Sequence, residues 1–244
     1  MQNHSSERKV ALVTGSSSGV GAATCQQLAE RGWNVVINYT RSEREAHEVE
    51  SSCSSLGAET LVSKADVSED SDCRRIVNET IERWGRLDAL VNNAGMTRFC
   101  DYSDLEGLTK QDFLDIYAVN VVGTYQMTRA ATPHLRQSDD GVIVNTSSVA
   151  SLTGQGSSMA YAASKGAMTT LTLSLAHSLA PEIRVNAVCP GFIQGRWTKN
   201  FLGESYEEVR ASVENASALK RSALPEDVAR SIVHLVCEAR LVTG

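Results

Sequence analysis

The sequence predicts an α/β fold, a single-domain Rossmann-like doubly wound parallel sheet layered α/β/α. Three observations carry this. Short β-branched apolar runs alternate with longer segments of helical period. A glycine- and serine-rich turn follows the first run directly. No proline-rich or low-complexity linker divides the 244 residues, although length alone would allow two small domains.

The expected strands are residues 10–14, 34–39, 60–64, 89–92, 142–146 and 184–189. Several are apolar almost throughout, as strands covered on both faces of a parallel sheet must be. Between them, apolar residues recur at three and four over 20–31, 42–56, 70–84, 110–135 and 160–179, which predicts five helices. Residues 192–224 are more irregular and more polar, and are expected to form a lid over the mouth of a site.

Composition narrows the function. An apolar fraction of 42% and a charged fraction of 21% are those of an ordinary globular protein. A net charge of −6 argues against nucleic acid or an anionic membrane surface as partner. No apolar run approaches the roughly 20 residues that span a bilayer. The polar N-terminus lacks the apolar core of a secretory signal. Six scattered cysteines without a Cys-x-x-Cys pair suit reduced thiols in a cytoplasmic protein. The five histidines lack ligand spacing, so no metal is expected.

Gly15, Ser16, Ser17, Ser18, Gly19 and Val20 form the turn after the first strand, with Gly21 opening the next helix. Glycines let the backbone approach a phosphate, and the helix start presents free N–H groups. The spacing Gly-x-x-x-Gly-x-Gly departs from the common dinucleotide fingerprint, and no P-loop lysine follows. At the end of the second strand an acid would grip the ribose of NAD. Tyr39 and Arg41 stand there instead, without one. Arg41 can pair with a 2′-phosphate, which favours NADP(H) over the alternative NAD(H). Arg41 can equally be a solvated start to the helix that carries Glu43 and Glu45.

Tyr161 and Lys165 are four residues apart, and Ser148 lies thirteen residues before the tyrosine. On a helix the pair shares one face, and the ammonium is expected to lower the phenol pKa from about 10. Such a phenol becomes a proton donor or acceptor near neutrality.

With these motifs goes an ordered series: Thr14-Gly-x-x-x-Gly-x-Gly21, Asp66-Val67, Asn92-Asn93-Ala94-Gly95, Asn120, Ser148, Tyr161-x-x-x-Lys165 and Pro190-Gly191. The chain thereby resembles the short-chain dehydrogenase/reductase family over nearly its whole length, and most of all 3-oxoacyl-(acyl-carrier-protein) reductases. The resemblance implies an oxidoreductase moving hydride between a nicotinamide and a carbonyl or secondary alcohol. It implies Tyr161 as general acid/base, Ser148 on the substrate oxygen in preference to Ser147, and Lys165 on the nicotinamide ribose. Asn120 would hold a relay water, unless it only satisfies backbone at a helix irregularity. Asp66 would take the adenine amino group beside Val67, unless it caps a helix. Asn93, Ala94 and Gly95 would line the adenosine ribose, and Pro190, Gly191 and Ile193 would flank the nicotinamide.

Two departures stand out. Gly195 occupies a place where relatives often carry a threonine, so that contact is lost or passes to Thr198. Relatives continue past a Thr-Gly like Thr243-Gly244 into a seventh strand, here apparently missing, which makes oligomerisation less certain. Helices at 110–135 and 160–179, apolar on more than one face, suit a homotetramer or homodimer, or burial within one subunit. A non-catalytic protein that senses the cofactor is the alternative from another functional class.

Overall fold

The computed structural model describes residues 8–244. Strands β1 (Val10–Val13), β2 (Asn34–Tyr39), β3 (Thr60–Lys64), β4 (Ala89–Asn92), β5 (Gly141–Thr146) and β6 (Ile183–Val188) form one parallel sheet. Its order is β3-β2-β1-β4-β5-β6. The winding reverses between β1 and β4, and there the loops leaving adjacent strands part to opposite faces and open a crevice.

Ten α-helices are present among the described residues. They are α1 (Gly19–Glu30), α2 (Glu43–Ser55), α3 (Asp70–Trp84), α4 (Lys110–Tyr117), α5 (Thr124–Leu135), α6 (Ala150–Thr153), α7 (Met159–Leu179), α8 (Arg196–Leu202), α9 (Tyr206–Ala216) and α10 (Pro225–Cys237). Strand alternation sorts the core into two sides. Ala11 and Val13 pack with Leu28 of α1 and with Ile232 and Val236 of α10. Val10 and Leu12 pack with Ile76 of α3, Met127 of α5 and Leu179 of α7. Each fully buried side chain of this size contributes about 1.5–3 kcal/mol.

Polar ties fix the edges of these layers. Asp88 accepts from Val10 N at 2.8 Å, from Ser138 Oγ at 2.7 Å and from the Arg86 guanidinium at 2.8 Å. Burial by itself would raise the Asp88 carboxyl, yet these donors hold it below its usual value. Arg184 in β6 donates to Leu235 O in the last turn of α10 and to Ala239 O just beyond it. It thereby satisfies carbonyls that the helix leaves orphaned.

The strands match the sequence expectation to within one residue at each end. The helices depart from it more. The single helix expected over 110–135 is interrupted by a π-helical turn, Ala118–Gly123, between α4 and α5. The expected irregular lid contains α8 and α9 joined by a short 3₁₀ turn, Gly203–Ser205. Helix α10 was not expected, although Pro225 at its start and the acids Glu226 and Asp227 in its first turn are helix-start signals.

Gly21 sits where layers meet. A Cβ there would fall 2.7 Å from Asn93 Nδ2, Gly15 O and Ser16 Cα. Gly166, within α7, has only Ser151 O near, at 4.0 Å. Gly21→Ala should therefore lower unfolding stability by about 1–3 kcal/mol, the cost of overpacking. Gly166→Ala should be neutral or stabilising by about 0.5–1 kcal/mol. Urea unfolding midpoints check the pair, and equal effects would contradict this packing.

Candidate active site

The crevice is built first by β1 and β4. Thr14 Oγ1 accepts from Asn93 N and Ala94 N, each at 3.0 Å, and Asn93 Nδ2 returns bonds to Thr14 O and Gly15 O. Gly15 has φ +61, and a Cβ there would reach 2.9 Å from Ala94 Cα. Only glycine allows that approach in a left-handed conformation. Ser16 is fully buried; its N–H donates to Asn38 O and its hydroxyl to Val13 O. Ser16 therefore sets the turn from within, while Ser17, Ser18 and Gly19 stand outward ahead of Val20. Ser18 begins α1 without a side-chain cap, so the first-turn N–H groups are unspent.

The β2 and β3 ends extend the crevice. Asn38 Oδ1 accepts from Gly15 N at 2.9 Å, and Nδ2 donates to Ala65 O at 2.9 Å. Tyr39 is buried, whereas Arg41 is exposed and has no partner among the described residues. Asp66 Oδ1 accepts from the Ser68 N–H and hydroxyl. This closes a local turn; helix α3 itself begins later, at Asp70. Val67 O accepts from Gln126 Nε2 at 3.0 Å. Gly123 abuts the same residue, since a Cβ there would lie 2.9 Å from Val67 O.

The tyrosine, serine and lysine converge where β5 meets α7. Ser158 caps α7 by accepting from Tyr161 N, which places Tyr161 in the first turn. Lys165, one turn on, is 3% exposed, and its Nζ donates to Thr146 O at 2.7 Å. That Nζ lies 5.7 Å from the Tyr161 ring centroid. Burial pushes the Lys165 ammonium down to about 8. Ser148, two residues past β5, lies beside the phenol and draws its pKa down. Ser147 faces inward instead, with its hydroxyl on Lys165 O and beside Thr169. The expected lowering of the phenol by the ammonium is corrected here. Burial raises the Tyr161 pKa, and Ser148 only partly offsets it.

Asn120 lies in the π-helical turn and is fully buried. Its Oδ1 accepts from Met96 N, and its Nδ2 donates to Met96 O and Ser164 Oγ. Ser164 in turn donates to Tyr161 O, so one hydrogen-bonded chain joins the turn to the tyrosine's own backbone. A Cβ at Gly95 would stand 3.6 Å from Asn120 Oδ1 and 3.7 Å from Lys165 Nζ. The glycine keeps this floor open.

Two positioning residues escaped the sequence reading. Tyr102 donates its hydroxyl to Gly154 O and accepts from Gly156 N. A Cβ at Gly156 would lie 3.2 Å from Tyr161 Cδ1, so this loop backs the tyrosine ring. No local signal marks either residue, because both act across loops distant in sequence.

Pro190 O accepts from Val149 N, while Gly191 is exposed and Ile193 pairs with Ala223. Thr198 does not replace the missing threonine, since its hydroxyl is used on Ile193 O and Gly195 O just ahead of α8. At the rim, Arg98 pairs with Asp112, Arg196 pairs with Glu45 at 2.9 Å, and Lys199 lies over the Tyr206 ring.

These residues fit a nicotinamide dinucleotide. They give it glycine backbone beside a helix start, an open floor at Gly95 and a buried ammonium with a single oxygen acceptor. A family model for short chain dehydrogenases matches residues 9–204. A Streptomyces violaceoruber protein named as ketoacyl reductase 2 of granaticin polyketide synthase is 43% identical, covering 100% of this chain and 95% of its own. The 3-oxoacyl-(acyl-carrier-protein) reductase of Staphylococcus aureus is 34% identical, over 97% of this chain and 94% of its own. A solved NAD+-bound xylitol dehydrogenase superposes with a TM-score of 0.87 at 28% identity, over 96% of this chain and 95% of its own. With this fold, this crevice and these likenesses, the chain belongs to the short-chain dehydrogenase/reductase family, oxidoreductases that use NAD(P)(H) on alcohol and keto groups.

Proposed function

We propose that the protein is an NADP(H)-dependent carbonyl reductase, reversible toward the secondary alcohol, with Tyr161 as the proton donor. The observation that carries this is the convergence of Tyr161, Ser148 and Lys165 at the crevice. A bound nicotinamide supplies the hydride. Tyr161 gives its phenolic proton to the carbonyl oxygen, and its raised pKa keeps that proton available at neutral pH. Ser148 donates to the same oxygen as negative charge builds there. Lys165 stabilises the phenolate left behind and holds the nicotinamide ribose. Asn120 fixes Met96 and Ser164 around this group, and a water in its neighbourhood would return a proton to Lys165.

Gly15, Ser17, Ser18, Gly19 and Val20 take the pyrophosphate, with Ser16 shaping their turn. The unspent Oδ2 of Asp66 and the Val67 backbone receive the adenine, and Tyr39 backs its pocket. Asn93, Ala94 and Gly95 line the ribose, while Pro190, Gly191 and Ile193 flank the nicotinamide. The free Arg41 supports NADP(H), and NAD(H) is the second reading because the xylitol dehydrogenase relative binds NAD+. The names of the ketoacyl and 3-oxoacyl reductase relatives support a ketone as the carbonyl substrate.

Residues 192–224 act as the lid of one domain spanning the chain. Exposed Phe113, Leu114, Val122 and Tyr125 around α4 and α5, with Met159 and Leu173 on α7, favour a homotetramer or homodimer. Free thiols at all six cysteines suit the reducing cytoplasm.

Tyr161→Phe should lower turnover by about 10²- to 10⁴-fold while cofactor binding persists. Stopped-flow reduction and fluorescence titration of NADPH measure the two separately. Full turnover in the variant would remove Tyr161 from this role. Arg41→Asp should weaken NADPH by about 10- to 100-fold, the worth of a charged hydrogen bond, and leave NADH less affected. An unchanged ratio of kcat/KM for the two cofactors would contradict the assignment of Arg41.

A further inference from the structure

A row of four aromatic rings begins at the reacting phenol itself. The Trp197 ring lies 6.2 Å from Tyr161, and Phe201 meets Trp197 edge-on at 5.2 Å. Phe99 then stacks on Phe201 at 6.3 Å with an interplanar angle of 21°. Trp197 and Phe201 come from α8, whereas Phe99 comes from the loop after β4. The row therefore spans the mouth of the crevice from one wall to the other.

Its outer members are not core. Trp197 is 50% exposed and Phe99 53% exposed. Only 5% of this chain is aromatic, so four rings in succession at one place are not a random surface. Exposed apolar area of this kind lowers its free energy by taking up a flat apolar ligand. Charge at the mouth favours a neutral one. Arg98 and Arg196 are held by Asp112 and Glu45, and Lys199 is drawn over Tyr206. Among the described residues, neither of these two guanidinium groups is left unpaired to receive a carboxylate.

We propose that the preferred substrate is a neutral, planar cyclic ketone with an aromatic ring, held by stacking on Trp197 with its carbonyl at Tyr161. This rests on the carbonyl-reductase reading above and narrows its substrate class. Trp197 is then a residue that sets specificity. It favours π-faces over saturated rings of the same size, because aromatic pairs gain beyond the area they bury.

The test compares 2-tetralone with 2-decalone, which share one carbon skeleton and differ in the aromatic ring, alongside a linear acetoacetyl thioester. The kcat/KM for 2-tetralone should exceed that for 2-decalone by about tenfold, the effect of one stacking contact. Trp197→Leu should bring that ratio toward one, and Trp197→Phe should retain most of it. Equal use of the two bicyclic ketones, or a ratio that survives Trp197→Leu, would overturn the proposal. If the thioester is reduced in that case, the carbonyl-reductase reading stands without it. Absence of turnover with all three ketones and both cofactors would instead sink that reading and this proposal together.

Discussion

A buried ammonium with one oxygen acceptor governs the site. Lys165 carries three N–H donors into the interior, and among the described residues its Nζ bonds Thr146 O and, more weakly, Met168 Sδ at 3.8 Å. Removing such a charge from water costs several kcal/mol unless partners replace the hydration. The protein meets this cost only in part, which is why the group is held down to about 8. An incompletely satisfied cation is prepared to donate to further oxygen acceptors, and the hydroxyl oxygens of a ribose are chemically suited to that place. The same anchoring shapes the neighbourhood. Lys165 O takes Ser147 Oγ and Thr169 Oγ1, and Ser147 N reaches Val188 O, so β5, β6 and α7 are tied at the residue that carries the charge.

Much of this arrangement was legible in the sequence because it is local. Strands buried on both faces leave nearly continuous apolar runs, and glycine-rich turns leave their glycines in order. Tyr161 and Lys165 share a helix face by spacing alone. The failures are tertiary. The π-helical turn at Ala118–Gly123 exists because Asn120 must face Met96 and Ser164 while Gly123 packs against Val67. Nothing within 110–135 announces those distant partners. The direction of the phenol shift failed for a related reason: spacing brings the ammonium near but does not show how deeply the pair is buried. Tyr102 and Gly156 matter only because two loops meet. Helix α10 is the exception, since Pro225 and its acidic first turn are local signals that the sequence carries openly.

Helix α8 and the rest of the fold are joined through chemistry of opposite kinds. Arg196 in α8 reaches Glu45 in α2, an exposed pair of small energetic weight. Beside it Trp197 and Phe201 extend the apolar wall that begins at Tyr161. In the proposed placement, the ion pair would lie toward the adenosine end of the crevice and the rings toward its substrate end. Changes in α8 would then bear on cofactor and substrate together.

The most direct measurement of this account is the titration of Lys165 itself. In protein labelled with 13C at the lysine ε-carbons, the resonance lost in Lys165→Arg identifies the group. The account predicts a midpoint near pH 8 in the cofactor-free protein. A midpoint at the ordinary lysine value of about 10.4 would contradict it.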